Sequence, residues 1–150
     1  MVNIHPGVRI VRDDVVEALD VFGAAMNILS DATNLPLMVG EHVVPPGYGV
    51  PMHVHDHDDE LFLMLAGELT VIGESGEARV GPGTCVELPR GRPHSFRNDS
   101  DADARLYVMA LPGQHALEMF RHFDRVGRSG KALAPADIPA IAGQYGVRFI

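Results

Sequence analysis

The chain has 150 residues, with 12 Lys+Arg against 20 Asp+Glu, a formal charge of −8, and 46% hydrophobic residues. That length suits one domain with a sizeable core, and the apolar content argues against a disordered chain. The acidic balance, without a Lys/Arg cluster, argues against a nucleic-acid partner, and the longest apolar run, Leu61 to Ala66, is far short of the ~20 residues a membrane-spanning helix needs.

The N-terminal stretch MVNIHPGVRIVRDD has no apolar segment behind a positive start, so no secretory signal is read there and a cytoplasmic location is expected. Cys85 is the single cysteine. It excludes an internal disulfide and a Cys-rich zinc site, and within TCVEL it reads as a small buried apolar residue. The 16 Gly and 11 Pro disfavour a helical bundle, because both residues weaken helix interiors.

In chain order, Val8–Val11 reads as a short strand and Asp13–Leu19 as one helical turn. Val21–Leu29 is apolar without clear alternation, and Asp31 and Asn34 mark a turn. Leu37–Val44 reads as a strand closed by Pro45-Pro46-Gly47. Short strands follow at about Val50–His55, Glu60–Leu65, Leu69–Ile72, Glu77–Val80, Thr84–Leu88, His94–Arg97 and Leu106–Leu111, separated by acidic or glycine turns. Such spacing predicts an antiparallel sandwich or barrel. After Pro112-Gly113, Leu117, Phe120 and Phe123 recur at a three-residue step over Gln114–Arg125, as in an amphipathic helix. Pro135-Ala136-Asp137 opens a second helix to about Tyr145. The whole chain reads as one β domain, with a core over about 20–111 and a helical tail over about 113–146.

The chemistry concentrates around His53, His55, Glu60 and His94. Residues two apart on a strand share a face, so His53 and His55 point the same way. The turn at 56–59 reverses the chain, and a hairpin brings Glu60 beside the imidazoles. His94 follows the sharp turn Pro89-Arg90-Gly91-Arg92-Pro93. Three neutral imidazoles and one carboxylate make a donor set suited to Fe(II), Mn(II), Co(II), Ni(II) or Zn(II), with two positions of an octahedral ion left open. A shifted register through His57 fails at the carboxylate, so His57 reads as a solvated loop residue. Asp56, Asp58 and Asp59 read as a solvated turn.

Alternation from Glu60 places Phe62 and Met64 on the ligand face as pocket-lining residues, with Met52, Tyr48 and Phe96 at the mouth. Leu61, Leu63 and Leu65 face the other side. Their apolarity, with Val108 or the N-terminal strands, predicts cover by a second layer or a homodimer partner. His42 has no clear strand phase, and His5, His115 and His122 read as surface residues.

The spacing resembles the cupins. Gly47, His53, His55, Glu60 and Gly67 fit G-x5-H-x-H-x4-E-x6-G, and Gly83, Pro89, Gly91, His94 and Asn98 fit G-x5-P-x-G-x2-H-x3-N. Three His and one Glu at set positions arise by chance on the order of 10⁻⁵ per register. The resemblance implies a jelly-roll barrel, a double-stranded β-helix, holding one divalent transition ion on His53, His55, Glu60 and His94. The phrases PPGYGVPMHVH, DELFLMLAGELT and ELPRGRPHSFRN are similar to single-domain proteins of the quercetin dioxygenase kind. That likeness implies a dioxygenase acting on a small aromatic or enolic substrate, with Glu60 both ligand and proton acceptor. Binding without turnover, isomerisation and decarboxylation occur on the same scaffold and stay open.

Overall fold

The computed structural model describes residues 2–5, 7–12 and 15–150. β1 (Val2–His5) and β2 (Val8–Ile10) form a two-stranded ribbon. The strands that follow are β3 (Glu17–Val21), β4 (Ala24–Asp31), β5 (Met38–Val44), β6 (Gly49–His55), β7 (Asp59–Ala66), β8 (Leu69–Gly73), β9 (Gly76–Val80), β10 (Cys85–Leu88), β11 (His94–Arg97) and β12 (Ala104–Leu111). The tail then adds α1 (Gln114–Arg128), α2 (Asp137–Gly143) and β13 (Val147–Phe149).

Strand character follows from alternation. In β4, Ala24, Met26 and Ile28 turn inward, and in β7 Glu60, Phe62 and Met64 do so. A six-stranded sheet runs β10-β7-β12-β5-β4-β3 and a five-stranded sheet runs β13-β6-β11-β8-β9, with antiparallel pairing. The architecture is an all-β jelly roll, and one core cluster, including Met26, Ile28, Phe62, Phe96, Leu106 and Val108, joins residues of both sheets. The turns that join the strands rest on a few tight points. Gly67 takes φ 71° in the turn between β7 and β8, where a Cβ would strike the Asp103 carbonyl. Asn98 ties two turns, donating to Val44 O at 2.9 Å and Ala102 O at 2.8 Å.

Several expectations need correction. The stretch read as a helical turn over Asp13–Leu19 includes Asp13 and Asp14, outside the described residues, and its end is strand β3. Asp58 is no solvated turn residue: it is 1% exposed. Its carboxylate accepts from Gly113 N at 2.7 Å and Ala116 N at 3.0 Å, satisfying the start of α1 from a distant loop. Cys85 is exposed, because β10 is an edge strand and Cys85 takes its outward phase. Val108 is buried in the core and is unavailable to any partner, while Leu61, Leu63 and Leu65 lie half-buried on the outer face of β7. His122 is half-buried, its Nδ1 3.0 Å from the Tyr145 hydroxyl, whereas His115 is exposed and its ring lies 4.4 Å from that of exposed His57. The His5 side chain lies outside the described residues. No helix among the described residues is long and apolar enough to cross a membrane.

Candidate metal centre

Two strands of one sheet and one of the other build the site. His53 and His55 lie on β6, and His94 on β11 is the cross-strand neighbour of His53. Glu60 comes from β7, in the facing sheet. The hairpin expected between the two histidines and Glu60 is therefore absent: β6 and β7 belong to different sheets, and loop 56–58 carries the chain across. The turn before His94 is fastened to the site, with Gly91 N donating to His55 O at 2.8 Å.

One ligand atom from each of His53, His55, Glu60 and His94 lies within 4.8 Å of the others, and all four residues are buried. His53 Nδ1 lies 2.8 Å from Pro51 O. A carbonyl only accepts, so Nδ1 carries the proton and Nε2 keeps a free lone pair. His94 has acceptors on both sides, Arg92 O 3.2 Å from Nδ1 and Glu60 Oε2 3.2 Å from Nε2. A neutral ring has one N–H for these two acceptors. A cation held by His94 and Glu60 would relieve that conflict. His55 Nε2 stands 3.7 Å from the same carboxylate oxygen, and His55 Nδ1 is a buried nitrogen without a partner among the described residues.

Charge states match this need. Burial, reinforced by His94, lowers His53 to about 4, so it is neutral at neutral pH. Burial alone would raise the Glu60 carboxyl, but His55, the His94 hydrogen bond and His53 outweigh it and hold it at about 2. A neutral His53 imidazole and an anionic Glu60 oxygen are donors of the kind a divalent transition ion recruits.

A cavity of about 470 Å³ opens on this cluster. Tyr48, Phe62 and Phe96 line it, with His42 from β5. Met52 does not, because it is one strand step from His53 and takes the opposite face; Met64 is buried in the core and lies outside the lining. Sequence reasoning missed His42 and the tail. His42 shares the buried phase of Gly40 and Val44, a signal readable once Glu41 is placed outward. Phe120, Phe123 and Phe149 also enter the lining, so the C-terminal segment forms one wall.

Residues 40–110 match the cupin domain family. The chain carries a cupin domain. Two curated relatives match it: "Endoribonuclease YbeY" from Myxococcus xanthus, 29% identical over 111 residues, and "Quercetin 2,3-dioxygenase" from Bacillus subtilis, 30% identical over 69 residues. These matches cover 74% and 46% of this chain, but only 36% of the first relative and 20% of the second. Among solved structures, a cupin-superfamily sugar phosphate isomerase from Silicibacter pomeroyi is 29% identical with a TM-score of 0.55, over 61% of this chain and 60% of that one. The cupin scaffold and the four-residue cluster are thus compatible with a bound divalent metal.

Proposed function

We propose that the protein is a metal-dependent dioxygenase of a small aromatic or enolic substrate, with His53, His55, Glu60 and His94 as the metal ligands. The observation that carries this reading is the cavity wall. Among the described residues it is mainly aromatic and aliphatic with three histidines, it holds neither Lys nor Arg, and Glu60 is its single acidic residue. Beyond a bound ion, no Lys or Arg of the lining would meet the several negative charges of a sugar phosphate or an RNA strand, which would enter at a high desolvation cost. A flat, hydroxylated ring suits the same lining, and a cavity of about 470 Å³ is of ligand size.

A divalent transition ion bound there supplies Lewis acidity toward an enolate oxygen and, if redox-active, access to dioxygen. The chain's own residues do the rest. Three imidazoles add no charge, and one carboxylate offsets half of a dication, leaving a net positive site that favours the enolate over the enol. Glu60, anionic and buried, is placed to accept the enol proton. The apolar wall excludes water.

The test is oxygen uptake by metal-replete protein against a panel of enols that includes quercetin. Uptake stoichiometric with substrate loss is expected. Bound substrate without uptake overturns the dioxygenase reading in favour of binding, isomerisation or decarboxylation.

A further inference from the structure

Outside the four-residue cluster, one buried titratable group faces the cavity with a nitrogen to spare. His42 is 4% exposed and forms part of the wall. Its Nδ1 lies 2.8 Å from Ala25 O on the neighbouring strand β4. Because the carbonyl only accepts, Nδ1 carries the ring proton, and in the neutral ring Nε2 is a bare acceptor. Burial holds the ring neutral, lowering its affinity for a second proton, with the Ala25 bond and Glu60 opposing this only in part. Tyr48 and Phe96 meet the ring edge-on, at 6.2 and 6.3 Å between centroids, and fix its orientation. Ala25 O is the one hydrogen-bond partner of His42 among the described residues. The Tyr48 hydroxyl already donates to Val21 O at 2.8 Å, so it does not satisfy Nε2.

We propose that His42 Nε2 accepts the hydrogen bond of a phenolic or enolic hydroxyl on the cavity's ligand and so sets which way the ring system lies relative to the four-residue cluster. This rests on reading the cavity as an aromatic pocket. His42 is then a specificity-determining residue that selects hydroxylated rings over bare or O-methylated ones. The selection comes from the mismatch: an O-methyl ring has no proton to offer, and Nε2 stays buried and unpaired.

The test is a binding titration under argon with the full chain as purified, using 2-naphthol and 2-methoxynaphthalene. Wild-type protein should bind 2-naphthol at least about fivefold more tightly, and His42→Asn should shrink that preference below about twofold. Asparagine keeps an N–H near the position of Nδ1 to hold Ala25 O, but has no atom at Nε2. The wild-type preference should survive dialysis against EDTA. Equal affinities in the wild type, no binding of 2-naphthol, or an unchanged preference in His42→Asn would each overturn the proposal. So would a preference that disappears with the metal, since it would then belong to the ion. If His42→Asn does not fold, the wild-type protein titrated with both ligands, with and without EDTA, still supports or overturns the proposal. Absent oxygen uptake alongside an intact, EDTA-resistant preference removes the dioxygenase reading and leaves this role standing.

Discussion

His53 shows how one residue couples chemistry to stability. Its pKa is lowered from 6.5 to about 4 in the folded chain, so between those values the unfolded state binds a proton that the native state refuses. Stability therefore rises with pH across this window and falls as pH drops through it. For the metal-free protein, the His53 contribution alone is about 2 kcal/mol between pH 7 and pH 5. Buried His42 shifts in the same direction and adds to it. Thermal melts of EDTA-treated protein should show a midpoint several degrees lower at pH 5 than at pH 7; a flat midpoint would contradict neutral burial of these rings. At this scale much was legible in the sequence. His53, His55, Glu60 and His94 stand out because a metal needs fixed donor types at fixed spacing. His42 did not, because its role depends on which face of β5 turns inward, and Val39, Glu41 and Val43 on the opposite phase mix apolar with charged residues. Asp58 was hidden for a different reason: its partners, Gly113 N and Ala116 N, lie more than fifty residues away in the chain.

Among the elements, α1 depends on help from outside itself. Gly113 at its start supplies no side-chain cap, and no acidic residue occupies the first turn. The buried Asp58 carboxylate fills that place and also sits favourably at the positive end of the helix dipole. Asp58→Ala leaves Gly113 N and Ala116 N buried without acceptors, at a cost of about 1–3 kcal/mol. Urea unfolding should show a correspondingly lower midpoint; an unchanged one would mean that water or a shift of α1 replaces the carboxylate. Most strand positions were readable from turn residues and alternation, and α1 from its three-residue step. Sheet membership was not. Local spacing suggested that β6 and β7 pair as a hairpin, yet each finds its hydrogen bonds in a different sheet, since only that crossing brings histidines and Glu60 together from opposite walls. The docking of β13 on β6, with Val147 opposite His55 and Phe149 opposite His53, is a non-local pairing that three residues of sequence do not announce.

For the molecule as a whole, the cupin match ends at residue 110, and the tail beyond it completes the cavity. Met119, Phe120, Phe123, Ile138, Val147 and Phe149 cover the aromatic interior and keep the cluster away from bulk water. The jelly roll places the four candidate ligands, and the tail supplies low-polarity surroundings in which, on the proposed reading, one carboxylate and a bound dication would act strongly on an enol. All of this presumes that the four side chains hold an ion. The direct measurement is elemental analysis of the full chain purified without chelator or affinity tag, compared with His53→Ala and His94→Ala after circular dichroism confirms that both variants fold. The wild type should retain a transition ion in stoichiometric amount, and each variant should retain little. A stoichiometric ion in either folded variant, or none in a wild type offered every candidate metal, would contradict the account.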